Sequence, residues 1–170
     1  MPTGLKQSSS TVAIGFDVTE SAPNIFTQDS VDLNLLPLDR EVFVVTAINL
    51  DPLAPDAIAG VNTQVTCSLT TTSQTATANL SNSNCLATAN LDIRAAGFVD
   101  GGVSFTRNGM ETAPATLDYI GIIATNDFFV QIKGAQNLAA KAVAGKMYGY
   151  RAVASADIYA ALVQSEVLSA

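Results

Sequence analysis

Apolar and polar residues alternate with a period of two along much of the chain, a pattern that indicates half-buried β-strands. It is clearest in segment 61–69, where one face carries valine, cysteine and leucine and the other carries mainly asparagine, glutamine, threonine and serine. One face of this strand is predicted to lie in the core and the other to be polar but uncharged. Segment 41–51 is apolar on both faces, which predicts a central strand that also touches a neighbouring layer or subunit.

Further strands are predicted at intervals of about ten residues, between short clusters of Gly, Pro, Asn and Asp. They span residues 11–18, 31–35, 89–94, 103–107, 117–124, 127–133 and 146–154. These strands are too many for a single sheet, so the sequence predicts an all-β fold, an antiparallel β-sandwich of the jelly-roll or Greek-key type. The dipeptide Asn108-Gly109 predicts a type I′ hairpin turn, because both residue types accept positive φ angles.

One short C-terminal helix is predicted after the last strand. Ser155 is placed to cap its free amides, and Asp157 suits its first turn. Its apolar face is predicted to consist of Ile158, Ala161 and Leu162. We expect this helix to pack on a sheet edge or on a partner.

The 170 residues are enough for one self-sufficient core. We expect a flexible N-terminal arm at residues 1–11 and a single β-sandwich domain at residues 12–170. The alanine-rich segment 135–145 is bracketed by glycines and is compatible with a helix or with a surface loop.

Charge is scarce: only 14% of the residues are charged, against about a quarter in a typical soluble domain. Segment 57–91 contains no Asp, Glu, Lys or Arg. Such a surface is suited to being covered by copies of the same chain. Within it, segment 70–84 is either a long solvent loop or a hairpin whose threonine-rich edge meets an identical strand of a neighbour. The candidate interface residues are Thr70, Thr71, Thr72, Thr75, Thr77 and Asn79.

The charge balance argues against direct nucleic-acid binding. The net charge is −7, and the eight basic residues are scattered, whereas nucleic-acid binders cluster Lys and Arg on one surface. No segment has the pattern of a secretory signal or the roughly 18 apolar residues that a membrane span requires. We therefore expect no membrane partner and synthesis in a cytoplasm.

The residue types also argue against an enzyme. The chain contains no histidine, which excludes Ser-His and Cys-His mechanisms. Acidic pairs such as Asp51 and Asp56 are interpreted as solvated loop acids, with a calcium site as the less favoured alternative. Cys67 and Cys85 are expected to be two separate buried thiols rather than a disulfide, and they lack the spacing of a metal site. No catalytic residue, cofactor or metal ligand is predicted.

Tyr148 and Tyr150 flank Gly149 and are predicted to share one face of a strand. Together with Phe128 and Phe129 they suggest an aromatic platform that would bind carbohydrate. The favoured interpretation is that they are core or interface residues whose hydroxyls reach the rim.

An acidic, histidine-free sandwich rich in Thr, Asn and Ala, preceded by a short arm, resembles the capsid and capsid-decoration β-sandwich proteins of double-stranded DNA viruses, particularly phages. Segments 126–133 and 146–164 resemble the last strands of a jelly roll. The resemblance implies a self-associating subunit of the virion, trimeric as decoration proteins commonly are, with other capsid proteins as partners. Because the arm is not basic, we expect a place on the outside of a shell.

Two other functions remain open at this point. One is a carbohydrate-binding module that uses Tyr148 and Tyr150. The other is a subunit of a non-viral filament or surface layer, in which a threonine-rich edge strand receives a neighbour's arm.

Overall fold

The structure is a computed structural model that describes residues 1–97, 99, 102–109 and 117–170. In these residues the chain forms ten strands and one α-helix. The strands are β1 (Leu5–Gln7), β2 (Val12–Thr19), β3 (Thr27–Asp32), β4 (Glu41–Pro52), β5 (Thr63–Thr70), β6 (Cys85–Arg94), β7 (Val103–Gly109), β8 (Gly121–Ile123), β9 (Asp127–Ala135) and β10 (Ala142–Ala154). A short 3-10 helix, Pro37–Asp39, precedes β4, and helix α1 (Ala156–Leu168) follows β10.

The strands pair into two antiparallel sheets. The first has the order β2-β10-β4-β8, with β1 pairing the far end of β10, and the second has the order β3-β9-β5-β6-β7. When β1 and β7 are set aside and the other eight strands are renumbered in sequence, the two orders become 1-8-3-6 and 2-7-4-5. This is the strand order of a jelly roll. The predicted all-β sandwich with one C-terminal helix is confirmed, and of the two predicted types the observed order is the jelly roll.

The main core lies between the two sheets, because the strands turn their apolar faces toward each other. Phe16 and Phe128 meet edge to face across it, with ring centroids 5.6 Å apart. Strand β4 has two buried faces, which explains why its sequence is apolar throughout. Its residues Phe43 and Val45 point into the main core, while Val42 and Val44 point to the outer side of the first sheet.

Helix α1 covers that outer side, so β4 touches a layer of its own chain. Ser155 occupies the N-cap position as predicted, but its side chain donates and accepts no capping hydrogen bond. The buried face of the helix also differs from the predicted one. Ala161 is exposed, and the side chains that pack on the sheet are Ile158, Tyr159, Leu162 and Val163. The larger Tyr and Val side chains bury more apolar area than Ala161 would. Within the described residues, no helix has the length and apolar character needed to span a bilayer.

Part of the predicted flexible arm is held by the sheet. Leu5–Gln7 forms β1, which pairs with residues 152–154 of β10. Leu5 is buried in the cluster beneath α1. Three residues with one apolar side chain have no periodicity of their own, so this strand exists only because β10 offers a partner.

Several strand bounds and one turn differ from prediction. Asn108 and Gly109 lie inside β7 and pair with Ala89 and Thr88 of β6, so the predicted hairpin turn was wrong; sheet pairing outweighs the local preference of the dipeptide. Strand β3 begins and ends earlier than predicted. It ends at Asp32 because Asp32 lies opposite Asp127, the first residue of its partner β9. Segment 135–145 contains no helix and instead joins the end of β9 to the start of β10.

Candidate functional site

The threonine-rich segment between β5 and β6 forms a loop, so of the two predicted alternatives the hairpin was wrong. The loop folds onto the outer face of the second sheet. The amide of Ala78 donates to Ser68 Oγ at 3.0 Å, and the side chain of Gln28 bonds to Ser73 Oγ and to the amide of Gln74. The uncharged face is therefore partly covered by its own chain.

Under this loop lies a polar network around Gln131, which is fully buried. Its Oε1 accepts from Ser68 Oγ at 2.7 Å, and its Nε2 donates to Thr70 Oγ1 at 2.6 Å and to Gln28 Oε1 at 3.0 Å. A buried amide is tolerated only when its donors and acceptors are satisfied, as they are here. The network holds the loop to β3, β5 and β9.

The predicted interface residues differ in how deeply the structure buries them. Thr70 and Thr71 are buried within the chain, and their assignment to an intermolecular interface stays a prediction. Thr72 is half-buried, and its hydroxyl accepts from Gln74 and Asn84. The remaining members of the set, Thr75, Thr77 and Asn79, lie at least partly at the surface.

The four aromatic residues of the predicted carbohydrate platform do not come together. Phe128 lies in the main core against Phe16. Tyr150 is buried beneath α1, and this burial, with the nearby Asp118 carboxylate adding to it, raises the pKa of its hydroxyl. Tyr148 is half-buried on β10. The C-terminal helix thus covers Tyr150, and glycan binding by Tyr148 and Tyr150 stays a prediction.

A cavity of about 390 Å³ lies between α1, β8 and the loop that follows β5. Its walls combine apolar side chains with Thr71, Asn84, Cys85 and Glu166. The hydroxyl oxygen of Thr71 is buried and has no hydrogen-bond partner among the described residues. Glu166 forms part of the cavity wall, and its Oε1 and Oε2 accept from the amides of Ala124 and Thr125 at 2.8 and 3.1 Å.

The two cysteines do not form a disulfide. Cys67 Sγ donates to the carbonyl of Ala89, and Cys85 Sγ donates to the carbonyl of Ala87. Burial raises the pKa of the Cys85 thiol to about 11. A thiol that stays protonated at neutral pH is a poor nucleophile, so the cavity contains no activated sulfur.

Asp56 braces the loops at one end of the sandwich. Its Oδ1 lies 2.5 Å from Lys141 Nζ, and its Oδ2 accepts from the amides of Leu138 and Ala139. The hydrogen bond from Lys141 is the main reason that the pKa of this carboxyl is lowered. Asp56 is therefore a structural brace rather than the solvated loop acid of the prediction. In the part of the chain that the structure describes, no three His, Cys, Asp or Glu side chains are grouped to hold a metal.

Strand β7 is the feature of the surface that sequence reasoning did not single out. It lies at the end of the second sheet and pairs only with β6 among the described residues. Because β4 contacts β5 and β6 across the sandwich, β7 lies one strand beyond the covered part of the sheet. Residues 103–107, here called the β7 edge, are exposed on both faces, and Phe105 is 53% exposed.

The other edge strands are less suited to pairing with a strand of another chain. Strand β3 carries Asp29 and Asp32, and β8 has only three residues. On β2, Phe16 and Val18 point into the core, and Val12 is exposed. Charge and shortness are the usual protections of an edge strand, and the β7 edge has one charge, Arg107, over five residues. Alternation in segment 103–107 predicted a strand. It could not predict that the apolar face is the outer one: Phe105 pairs with Asp92, which lies on the face of the sheet turned away from the main core.

The β7 edge adjoins a small charged cluster on β6. Asp92 is buried, and its Oδ2 lies 3.5 Å from Arg107 Nη2 and 3.8 Å from Arg94 Nη2. Its Oδ1 has no hydrogen-bond partner among the described residues. The guanidinium of Arg107 is thus directed toward its own chain.

No family model matches the chain, and no curated protein does. Among solved structures, the chain is similar to a chain from Desmodium yellow mottle tymovirus, with 14% identity over 91% of this chain and 93% of that one. The TM-score of 0.28 is too low to carry an argument about fold or function. The function therefore has to be inferred from the topology and surface of the chain itself.

Proposed function

We propose that this protein is a non-enzymatic structural subunit of a virus particle, a capsid or outer decoration protein that associates with copies of itself. The observation that carries the proposal is the β7 edge: a strand that, among the described residues, pairs on one side only, is exposed on both faces, and has apolar side chains and a single charge. Left open, such an edge is an aggregation hazard. A protein that keeps one is expected to use it for pairing.

The jelly-roll strand order narrows the class of protein without deciding it, because one fold serves many functions. Jelly rolls occur in viral capsid domains, lectins and cupins. A histidine metal centre has no ligand in this chain, and the aromatic carbohydrate platform is not assembled because α1 covers Tyr150. The capsid function is the one that needs a self-associating surface rather than a reactive site.

Charge supports a position outside the shell. A net charge of −7 with scattered basic residues would oppose contact with a packaged genome. The partners proposed are copies of this chain, with a trimer favoured, and other capsid proteins; neither nucleic acid nor a membrane is a proposed partner. The proposed location is the virion, after synthesis in the host cytoplasm.

Negative-stain electron microscopy of the purified protein tests this function. Closed oligomers, rings or shells are the expected result, and mixing with the matching shell protein should show added density on the outer surface. Open fibres would favour a filament or surface-layer subunit instead. Single dispersed particles under all conditions would contradict assembly, and a glycan-binding screen would then be the next experiment.

A further inference from the structure

We propose that the β7 edge is a two-fold contact, in which the β7 strands of two copies pair antiparallel about an axis through Phe105. The second copy would extend the five-stranded second sheet into a continuous ten-stranded sheet. This inference rests on the proposed function, and it adds the symmetry, the register and the residues of one contact.

The geometry of the edge fits a strand partner. A strand pairs through alternate backbone groups on each side, and β6 uses only one side of β7. Since an isologous contact joins the same surface patch of both subunits, the test of a two-fold pair is whether the patch complements itself.

The β7 edge complements itself when Phe105 is placed on the axis. Phe105 then faces Phe105 of the other copy, an aromatic cross-strand pair of the favourable kind. Ser104 faces Thr106, so two hydroxyl-bearing side chains meet, and Val103 faces the aliphatic stem of Arg107. The one charged residue of the edge does not meet its own copy.

The two neighbouring registers are less favourable. With Ser104 on the axis, only residues 103–105 of the edge pair with each other. The other neighbouring register has Thr106 on the axis. It would place Phe105 opposite Arg107 of the other copy. The guanidinium of Arg107 lies 3.5 Å from the buried Asp92 carboxylate, and it would have to leave this carboxylate in order to stack on the ring. Placing Arg107 itself on the axis would set two like charges opposite each other, which is destabilising.

A single pair of short strands buries much less than the roughly 1,600 Å² of a standard stable interface. The contact is therefore expected to be weak between isolated chains and effective where other contacts hold many copies together. It joins copies in twos, whereas a trimer requires a different, head-to-tail contact. The two contacts are compatible, and the β7 pair would link one oligomer to the next.

Disulfide trapping tests the register. Phe105→Cys is introduced in a Cys85→Ser background and oxidised at high protein concentration, and a covalent dimer is the expected product. The matched control is Leu138→Cys in the same background, since Leu138 is 79% exposed on a loop outside β7. Dimer yield no greater than that of the control, or a disulfide that forms only between Phe105→Cys and Arg107→Cys chains, would overturn the proposed contact.

A second pair of variants tests its energetic role. Phe105→Lys sets two like charges opposite each other on the axis and should weaken self-association at least tenfold by sedimentation, whereas Phe105→Tyr should leave it nearly unchanged. Phe105 is exposed, so both variants should keep the wild-type melting temperature. Wild-type assembly combined with full assembly of Phe105→Lys would refute the β7 contact alone. A wild-type chain that neither assembles nor cross-links would refute the proposed function as well.

Discussion

The carboxylate of Glu166 accepts a hydrogen bond from the amide of Ala124 at 2.8 Å, and this contact fastens the last turn of α1 to the end of β8. The second carboxylate oxygen accepts from the amide of Thr125. A negative charge in the last turn of a helix opposes the helix dipole, so Glu166 is not explained by helix stability. Its position follows from the buried amide of Ala124 and the half-buried amide of Thr125 that it satisfies.

Glu166→Ala is expected to lower the free energy of unfolding by about 2–4 kcal/mol. The buried amide of Ala124 loses its acceptor at a cost of roughly 1–3 kcal/mol, and the half-buried amide of Thr125 loses its acceptor at a cost of about 1 kcal/mol. Urea unfolding followed by circular dichroism measures the change. The matched control is Gln164→Ala, an exposed position on the same helix, which should change stability by less than about 0.5 kcal/mol. Equal effects of the two substitutions would rule out the tether.

The free energy of unfolding should depend on pH through the protonation of Glu166. Burial raises the pKa of its carboxyl above the ordinary value of 4.5, so the folded state binds the proton more tightly than the unfolded state. Its contribution to stability is therefore fully present below pH 4.5 and is lost as pH rises through the raised pKa. The stability difference between wild type and Glu166→Gln should move in favour of wild type as pH falls from 7 toward 4.5. A difference that stays constant with pH would contradict this assignment.

The contribution of Asp56 to stability should change with pH in the opposite direction. Its pKa is lowered from the ordinary value of 3.8, so its contribution is fully present above that value and is lost as pH falls through the lowered pKa. At pH 7, Asp56→Ala is expected to cost about 1–3 kcal/mol, since a charge-assisted hydrogen bond from Lys141 and two amide hydrogen bonds are removed. Asp51→Ala, an exposed acid on β4, is the control. A loss at pH 7 no larger than that of Asp51→Ala would argue against the brace.

Gln131→Ala should release the loop that follows β5. The substitution leaves Ser68 and Thr70 without their amide partner, so the loop loses the network that holds it on the sheet. Hydrogen exchange measures this directly, because the amide of Ala78 donates to Ser68 Oγ and should exchange at least tenfold faster in the variant. The amide of Val65, which lies in the strand β5, is an internal reference. Unchanged exchange at Ala78 would mean that the loop is held by other contacts.

Most strands could be predicted because apolar and polar residues alternate along them, as expected for a sheet with one buried face and one exposed face. Strand β4 is a clear case: its apolar character on both faces indicated a second layer, although not that α1 would provide it. The C-terminal helix was predicted, but its rotation was not, since residues 158–163 are all apolar or aromatic and define no single buried face. The presence of these strands and of the helix depends on local sequence pattern, and the structure follows that pattern.

What could not be predicted depends on partners far away in the sequence. Strand β1 forms because β10 extends beyond β2, and Asn108-Gly109 stays extended because β6 pairs with it. Glu166 lies 42 residues from Ala124, and no spacing rule connects them. The exposure of Phe105 is of the same kind: its alternation predicts an apolar face in the core, and only the pairing with Asp92 of β6 places Phe105 on the outer face of the second sheet.

Sedimentation velocity across a wide range of protein concentration tests self-association most directly. For a self-assembling subunit, the weight-average mass should exceed the 17.6 kDa of one chain and rise with concentration, and the rise should be smaller for Phe105→Lys. A mass of 17.6 kDa at every concentration up to the solubility limit would contradict a self-assembling subunit.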